Sequence, residues 1–373
     1  MRLSIVRGPQ ARMAPAIVHP PFERIIFRDK LEAEAVEIVR HPEDMPDAFR
    51  GAVAALGNFD GVHRGHQAVL GEAGRRAREM GVPLGVITTE PHPRRYFRPD
   101  DPPFRLTPFR DRAQLFEGFG VDLLGCLTFD AALAAMSAQD FVRRVLLEGF
   151  GLLHVVVGFN YRFGRGRGGD AAVLGWMGEM EGFGVSTLSP VGDSGQAGEQ
   201  VFSSSAIREA LREGRPRAAA EMLGHWWTLS GHVLEGERRG RTIGFPTLNL
   251  ALGEALRPAL GVYAVRAVID GLGGVRAGVA NLGRRPTFGG ETELLEVHLF
   301  DTDGDFYGRC ARVEFVDFLR PERKFAGPED LKTQIARDCE QARHTLKAPS
   351  NARAKHPPPT LDAYLATFPD PRA

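Results

Sequence analysis

Two histidines, His63 and His66, lie three residues apart in the run Gly57-Asn58-Phe59-Asp60-Gly61-Val62-His63-Arg64-Gly65-His66. An apolar stretch precedes this run and a helix-like stretch follows it. Such a junction offers backbone N–H groups and the positive end of a helix to a phosphate. The glycines let the backbone approach a ligand closely. Imidazole N–H groups there can stabilise charge growing on an α-phosphate as pyrophosphate departs, which needs no lysine. Further along, Ser203-Ser204-Ser205 opens another helix-like segment that carries Ile207 and Arg208. Hydroxyls in that place cap a helix and donate to phosphate, and the arginine can hold β- and γ-phosphates.

A second set of chemical residues occupies the other half of the chain. Thr247 and Asn249 sit two apart in Gly240-Arg241-Thr242-Ile243-Gly244-Phe245-Pro246-Thr247-Leu248-Asn249. In an extended segment both face one side. A hydroxyl and an amide oxygen are hard ligands suited to Mg²⁺ carrying ATP phosphates; taken alone, the pair reads equally as a β-edge turn. Glu296 follows in Leu295-Glu296-Val297-His298-Leu299. Alternation puts Leu295, Val297 and Leu299 on the core face and Glu296 with His298 on the other. A carboxylate beside a primary alcohol can serve as general base toward a γ-phosphate.

Composition narrows the field. The 373 residues suggest two domains or one large one. Lys+Arg and Asp+Glu are 47 each, so net charge argues against a strongly basic nucleic-acid binder. No lysine occurs between residues 31 and 323, which removes a Walker-type phosphate loop and Schiff-base chemistry from that stretch. The three cysteines, Cys126, Cys310 and Cys339, are widely spaced without a C-x-x-C pair. They fit a reducing cytoplasm better than a disulfide scaffold or a cysteine zinc site. Neither a signal-peptide core nor a run of membrane-spanning length is present, so the reading is a cytoplasmic protein without a membrane partner.

The elements that must position these groups follow two rhythms. Apolar runs at 51–57, 84–89, 121–127, 153–158 and 184–188 alternate with helix-like segments such as 65–80 and 138–148, a βαβ pattern with a parallel sheet. Two helices, 205–213 and 216–223, close this half. From about residue 225 the pattern becomes strand-rich, at 227–235, 261–270, 275–282, 293–300 and 311–318, with a hairpin turn at Gly271 and Gly273-Gly274. That is an antiparallel arrangement, read as a small barrel. A helix over 328–346 begins with Pro328-Glu329-Asp330. Residues 348–373 read as a tail or linker, and residues 1–50 as an extension in which Ile25–Phe27 could form a short strand.

The string at 57–66 resembles the signature of the HxGH nucleotidyltransferase superfamily, in the form found in the FAD synthetase module of prokaryotic riboflavin kinase/FAD synthetases. Pro91-His92-Pro93 resembles that family's P-H-P turn, Val155–Gly164 its V-G-x-[DN]-F-x-F-G loop, and Ser203–Arg208 its S-S-T-x-[IV]-R motif. Gly244–Asn249 resembles the G-[FY]-P-T-A-N motif of riboflavin kinases, the segment around Glu296 the strand with their catalytic glutamate, and Asn281–Phe288 a further kinase segment. Departures are Tyr161 for Phe, Ser205 for Thr, Leu248 for Ala, and Thr89 where an aromatic is common. A pantetheine-phosphate or cytidylyl transferase would share the H-x-G-H core but not the 240–300 set.

The resemblance implies an α/β chain: a Rossmann-like nucleotidyltransferase domain over 51–224 and a six-stranded antiparallel β-barrel kinase domain with a C-terminal helix over 225–347. It implies phosphorylation of riboflavin to FMN with MgATP, then transfer of AMP from ATP to FMN, giving FAD. Implied catalytic residues are Glu296, His63 and His66. ATP would be held by Gly57, Asn58, Phe59, Asp60, Gly65, Ser204, Ser205, Ile207 and Arg208, and in the kinase by Arg241, Gly244, Phe245 and Pro246. Thr247 and Asn249 would hold Mg²⁺. Pro91, His92, Asn160 and Arg162 would meet the flavin, although Asn160 fits a phosphate contact or an Asx turn equally well. The basic glycine-rich loop with Arg162, Arg165 and Arg167 would close over the triphosphate or lie solvated. The partners are the small molecules riboflavin, FMN, FAD and ATP, with no nucleic acid.

Overall fold

The computed structural model describes residues 36–189, 202–235, 244–287 and 290–368, with the backbone alone for 285–287 and 290–292. These residues belong to one compact unit, Ala33–Ala373. Ile25–Phe27, Arg241 and Phe288 lie outside the described residues.

The first half is a six-stranded parallel sheet in the order β1-β4-β3-β2-β5-β8. Its strands are β1 (Glu37–Val39), β2 (Val53–Leu56), β3 (Leu84–Glu90), β4 (Leu123–Thr128), β5 (His154–Gly158) and β8 (Gly184–Leu188). A small ribbon of β6 (Arg162–Phe163) and β7 (Gly169–Asp170) lies between β5 and β8 in the chain. All four residues of β2 are buried, as expected of a central strand covered on both faces. The chain proceeds from β2 to β3 on one side, while β5 pairs with β2 on the other. The loops after β2, β3 and β5 therefore meet at the topological switch point, where open α/β sheets bind their ligands.

Helices α1 (Arg64–Met80), α2 (Pro93–Phe97), α3 (Phe109–Phe119), α4 (Ala131–Ala135) and α5 (Ala138–Asp140, running on as π-helical turns over Phe141–Gly149) precede α6 (Ala171–Glu181). Helix α1 is stopped by Gly81, whose φ of 64° is the left-handed conformation a helix C-terminus favours. The sequence rhythm located β2–β5, β8 and α1. It missed β1, a three-residue edge strand pairing with β4, and it missed α3.

Helices α7 (Ser204–Arg212) and α8 (Pro216–Leu223) lead into a closed antiparallel barrel of order β10-β13-β12-β11-β14-β9. Its strands are β9 (Thr228–Leu234), β10 (Leu248–Ala251), β11 (Gly261–Ile269), β12 (Arg276–Thr287), β13 (Gly290–Leu299) and β14 (Cys310–Pro321). The turn between β11 and β12 uses Gly271, Gly273 and Gly274 with positive φ, the expected hairpin device. Helix α9 (Pro328–Lys347) packs along β11 and β12.

The barrel interior is not a separate core. Leu106 from the sheet half, Ile207 and Leu211 of α7, Met222 and Leu223 of α8, and barrel residues such as Val265 and Phe315 form one buried apolar cluster. Trp227 Nε1 donates to the Leu106 carbonyl at 2.9 Å, and Leu256 N donates to the Arg105 carbonyl at 2.7 Å.

Residues 348–368, expected as a tail, instead form a folded strap. The Asn351 carbonyl accepts from Arg266 of β11, and Arg353 pairs with Glu314 of β14 at 2.8 Å. The strap then crosses to the sheet half as α10 (Leu361–Thr367), capped by Thr360. Leu361 and Tyr364 lie against Gly74 and Gly71 of α1, so close that a Cβ at Gly71 would stand 2.0 Å from the Tyr364 ring. Arg78 pairs with Asp362 at 2.5 Å. The prolines at 357–359 suggested a linker; the capped apolar turn just after them was the missed signal.

Candidate active sites

At the switch point the chain turns sharply after β2. Gly61 has φ 91°, and a Cβ there would come within 2.9 Å of Leu106, so this turn requires glycine. His63 then caps α1, its Nδ1 accepting the His66 N–H at 3.3 Å. That bond places the remaining ring proton of neutral His63 on Nε2. The His63 and His66 rings stack 3.6 Å apart, and Phe59 meets His66 edge-on. Gly65 permits this stack, since a Cβ would lie 3.1 Å from the His63 ring. Burial lowers the pKa of His63 to about 4 and that of His66 well below 6.5, so both are neutral donors near neutrality. His66 Nδ1 is buried without a hydrogen-bond partner, as expected of a group prepared for a ligand.

Asp60 organises the floor of this site. Its carboxylate accepts the Leu106 and Thr107 N–H groups at 3.1 and 3.0 Å and pairs with Arg208 at 2.7 Å. Burial would raise its pKa, but Arg105, Arg208 and the two backbone donors outweigh burial and hold it ionised. Ser204 Oγ donates to the Asp60 carbonyl at 2.9 Å, and Ser203 caps α7. Two residues expected at ATP lie inward here. Arg208 is turned inward, with Nε on the Phe104 carbonyl and Nη2 on Asp60. Ile207 is fully buried in the shared core, where its side chain packs α7. Ser205, Asn58 and Gly57 remain at or near the surface of the site.

The P-H-P turn flanks the same crevice. His92 caps α2, accepting the Arg94 N–H at 3.0 Å, and lies edge-on to Phe104. Burial, reinforced by Arg105 and Arg112, lowers its pKa to about 3. Beyond Pro91, Tyr96, Phe97 and Phe129 form a cluster of edge-to-face rings, with Phe97 65% exposed. An exposed aromatic cluster beside a polar crevice suits a flat ring ligand. Sequence reasoning missed it, looking for one aromatic at Thr89; the signal was Tyr96-Phe97 just past the turn. Asn160 is exposed after β5, and Arg162 pairs with Asp170 across the β6–β7 ribbon.

The barrel carries the second set. Asn249 of β10 stands directly across from Glu296 of β13, which in turn stands across from Asn281 of β12. Leu295, Val297 and Leu299 point into the barrel core, leaving Glu296 and His298 on the other face as alternation requires. Asn249 is only 5% exposed, and its Oδ1 has no hydrogen-bond partner. Such a buried, uncommitted oxygen fits a hard cation or the water shell around one. His298 donates through Nδ1 to the Pro246 carbonyl at 2.9 Å and packs edge-on against Phe245, fixing the turn from Gly244 to Thr247 beside Glu296. Thr247 and Pro246 line a cavity of about 500 Å³ with Asp303, Phe306 and Tyr307. That loop after β13 was not singled out in sequence; its signal was Asp301-Thr302-Asp303-Gly304-Asp305.

Comparisons with known proteins divide the chain in the same way. Residues 45–205 match the family model described as FAD synthetase, and residues 223–346 match the one described as riboflavin kinase. The chain is 42% identical over 319 residues to the bifunctional riboflavin kinase/FMN adenylyltransferase of Pseudomonas fluorescens, covering 85% of this chain and 100% of the relative. It is 40% identical over 289 residues to the protein so named in Escherichia coli K12, covering 77% and 90%. For the one in Bacillus subtilis the figures are 35% over 322 residues, 82% and 96%. A crystal structure from Streptococcus pneumoniae, named a macrolide-efflux protein, superposes with a TM-score of 0.73 at 30% identity over 83% of this chain and 99% of that one. Among the described residues no helix is long and apolar enough to cross a membrane.

Proposed function

We propose a residue-level division of labour for this chain, which belongs to the family of bifunctional riboflavin kinase/FMN adenylyltransferases. The enzyme phosphorylates riboflavin to FMN with ATP and then transfers AMP from ATP to FMN, releasing pyrophosphate.

In the barrel, Glu296 takes the proton of the riboflavin terminal hydroxyl as that oxygen attacks the γ-phosphate, and ADP leaves. Thr247 and Asn249 hold Mg²⁺, which neutralises phosphate charge when bound; the uncommitted Oδ1 of Asn249 supports this fit. His298 keeps the Gly244–Pro246 turn against the strand that carries Glu296. Arg241 completes the nucleotide contacts in this reading.

At the switch point, His63 and His66 donate to the α-phosphate of the second ATP as the FMN phosphate oxygen attacks it. Their neutrality supports this role, because a neutral imidazole donates without adding a charge that must be buried. Gly57 to Asp60, Gly65, Ser204 and Ser205 border the nucleotide, and Arg208 holds Asp60 in place. Pro91, His92, Asn160 and Arg162 border the flavin, with Tyr96, Phe97 and Phe129 as its stacking platform. Free thiols at Cys126, Cys310 and Cys339, together with ATP as co-substrate, support the cytoplasm as its compartment.

The observation that carries this reading is the coexistence, in one chain, of the stacked histidine cap at the switch point and the in-register row Asn249–Glu296–Asn281. A chromatographic time course of riboflavin, FMN and FAD tests it. His66→Ala lowers FAD formation on the order of 10²-fold or more and leaves FMN formation near normal. Asn249→Ala does the reverse when FMN is supplied. Equal loss of both steps in a folded variant refutes the division.

A further inference from the structure

Between the nucleotide loop and the P-H-P turn lies a group of charges to which the reading above gives no step in either reaction. Glu90 ends β3 immediately before Pro91. Its Oε1 accepts from Arg105 Nη2 and Arg112 Nη2. Arg112, from α3, is fully buried and donates its other terminal nitrogen to the Asn58 carbonyl at 2.8 Å. Arg105 is nearly as buried. One planar guanidinium thus spans from the end of β3, which leads into the flavin turn, to the loop after β2, which leads into the histidines.

We propose that Arg112 is a positioning residue for adenylyl transfer, setting the flavin turn and the nucleotide loop at the separation in-line attack requires, with Glu90 and Arg105 as its fixed anchor. This rests on the assignment of both loops to that reaction.

Three observations favour it over a plain stabilising ion pair. First, Arg105 and Arg112 both meet Glu90, and Arg105 with Arg208 also holds Asp60 ionised, so three arginines serve two carboxylates. Burying a cation beyond the number of its carboxylate partners is unfavourable for stability alone. Second, Arg112 Nε and Arg105 Nε and Nη1 are buried without partners, a cost that a purely structural cluster would avoid. Third, the Arg105 backbone is tied to the barrel, through the Leu256 N–H and a parallel bridge to Ala255. The Arg105 backbone is therefore braced from outside the sheet.

Arg112→Lys tests this. Lysine keeps the charge but replaces the planar fork with a single ammonium group, which cannot hold Glu90 and the Asn58 carbonyl in the same geometry. Adenylylation of supplied FMN is measured with ATP and FMN varied separately, and riboflavin phosphorylation by the same preparation reports integrity. The expected result is a fall in adenylyl-transfer kcat of about 10- to 100-fold, as misplacement near 1 Å produces, with both KM values and riboflavin phosphorylation close to wild type. An unchanged kcat overturns the proposal. So does equal loss of both activities, which would make Arg112 merely structural. A rise confined to one KM overturns it as well, by making Arg112 a binding residue for that substrate alone. Wild-type protein that forms no FAD from FMN would instead refute the underlying site assignment. Glu90→Gln, which keeps the shape and removes the anchoring charge, should reproduce the kcat loss; normal turnover in that variant would also overturn the proposal.

Discussion

Acid stability offers a direct check on the histidine cap. His63 is 7% exposed, and burial, only partly offset by Asp60, lowers its pKa from the usual 6.5 to about 4. Above pH 6.5 both the folded and unfolded chains hold it neutral, so it makes stability independent of pH. Between 6.5 and 4 the unfolded chain takes up a proton that the folded chain refuses, and stability falls as the pH falls. At pH 5 the loss from this one residue is about 2 kcal/mol. His66, His92 and His225 are lowered in the same direction, so the whole protein loses more. Comparing wild type with His63→Gln isolates the single contribution. Urea unfolding, followed by tryptophan fluorescence at pH 7.5 and pH 5, should show the wild-type advantage shrinking by about 2 kcal/mol. Parallel stability curves for the two proteins would refute the burial argument and, with it, the neutral donor at Nε2.

Two further outcomes concern the neighbouring residues. Gly61→Ala forces a side chain into a φ of 91° and against Leu106; it should cost roughly 1–3 kcal/mol and cut FAD formation while sparing FMN formation, read by thermal unfolding and the flavin time course. Leu106→Ala removes a fully buried side chain from the core shared by sheet and barrel; it should cost roughly 2–5 kcal/mol and lower the thermal resistance of both activities together, and heat-inactivation curves that separate would contradict a shared core.

Much of the molecule was legible because its chemistry is local. The buried run of β2, the glycine turn and the start of α1 are adjacent in sequence, and the alternation that placed Glu296 with His298 needs only one strand. What stayed hidden depends on residues far apart. Nothing in Phe104-Arg105-Leu106 announces that Arg105 will meet Glu90 or that Leu106 will enter the barrel core. β1 is too short for any period to register. The spacing of Arg208 from the serines suits a phosphate contact, but nothing in it announces the bond to Asp60, 148 residues away. The motif position of Ile207 likewise does not reveal that its side chain joins the buried stripe of α7.

The strap also sets an order of events during synthesis. Arg78 of α1 and its partner Asp362 are 284 residues apart in the chain. At about 5–20 residues per second, translation takes roughly 15–60 s to cover that distance. Through this interval the ribosome carries a nascent chain whose α1 presents Gly71 and Gly74 bare, with neither Leu361 nor Tyr364 to cover them. The sheet half thus waits on the most distant part of the chain to finish its packing, and a transcript cut short before codon 361 yields a polypeptide with both catalytic modules and an apolar helix face left open to chaperones and proteases.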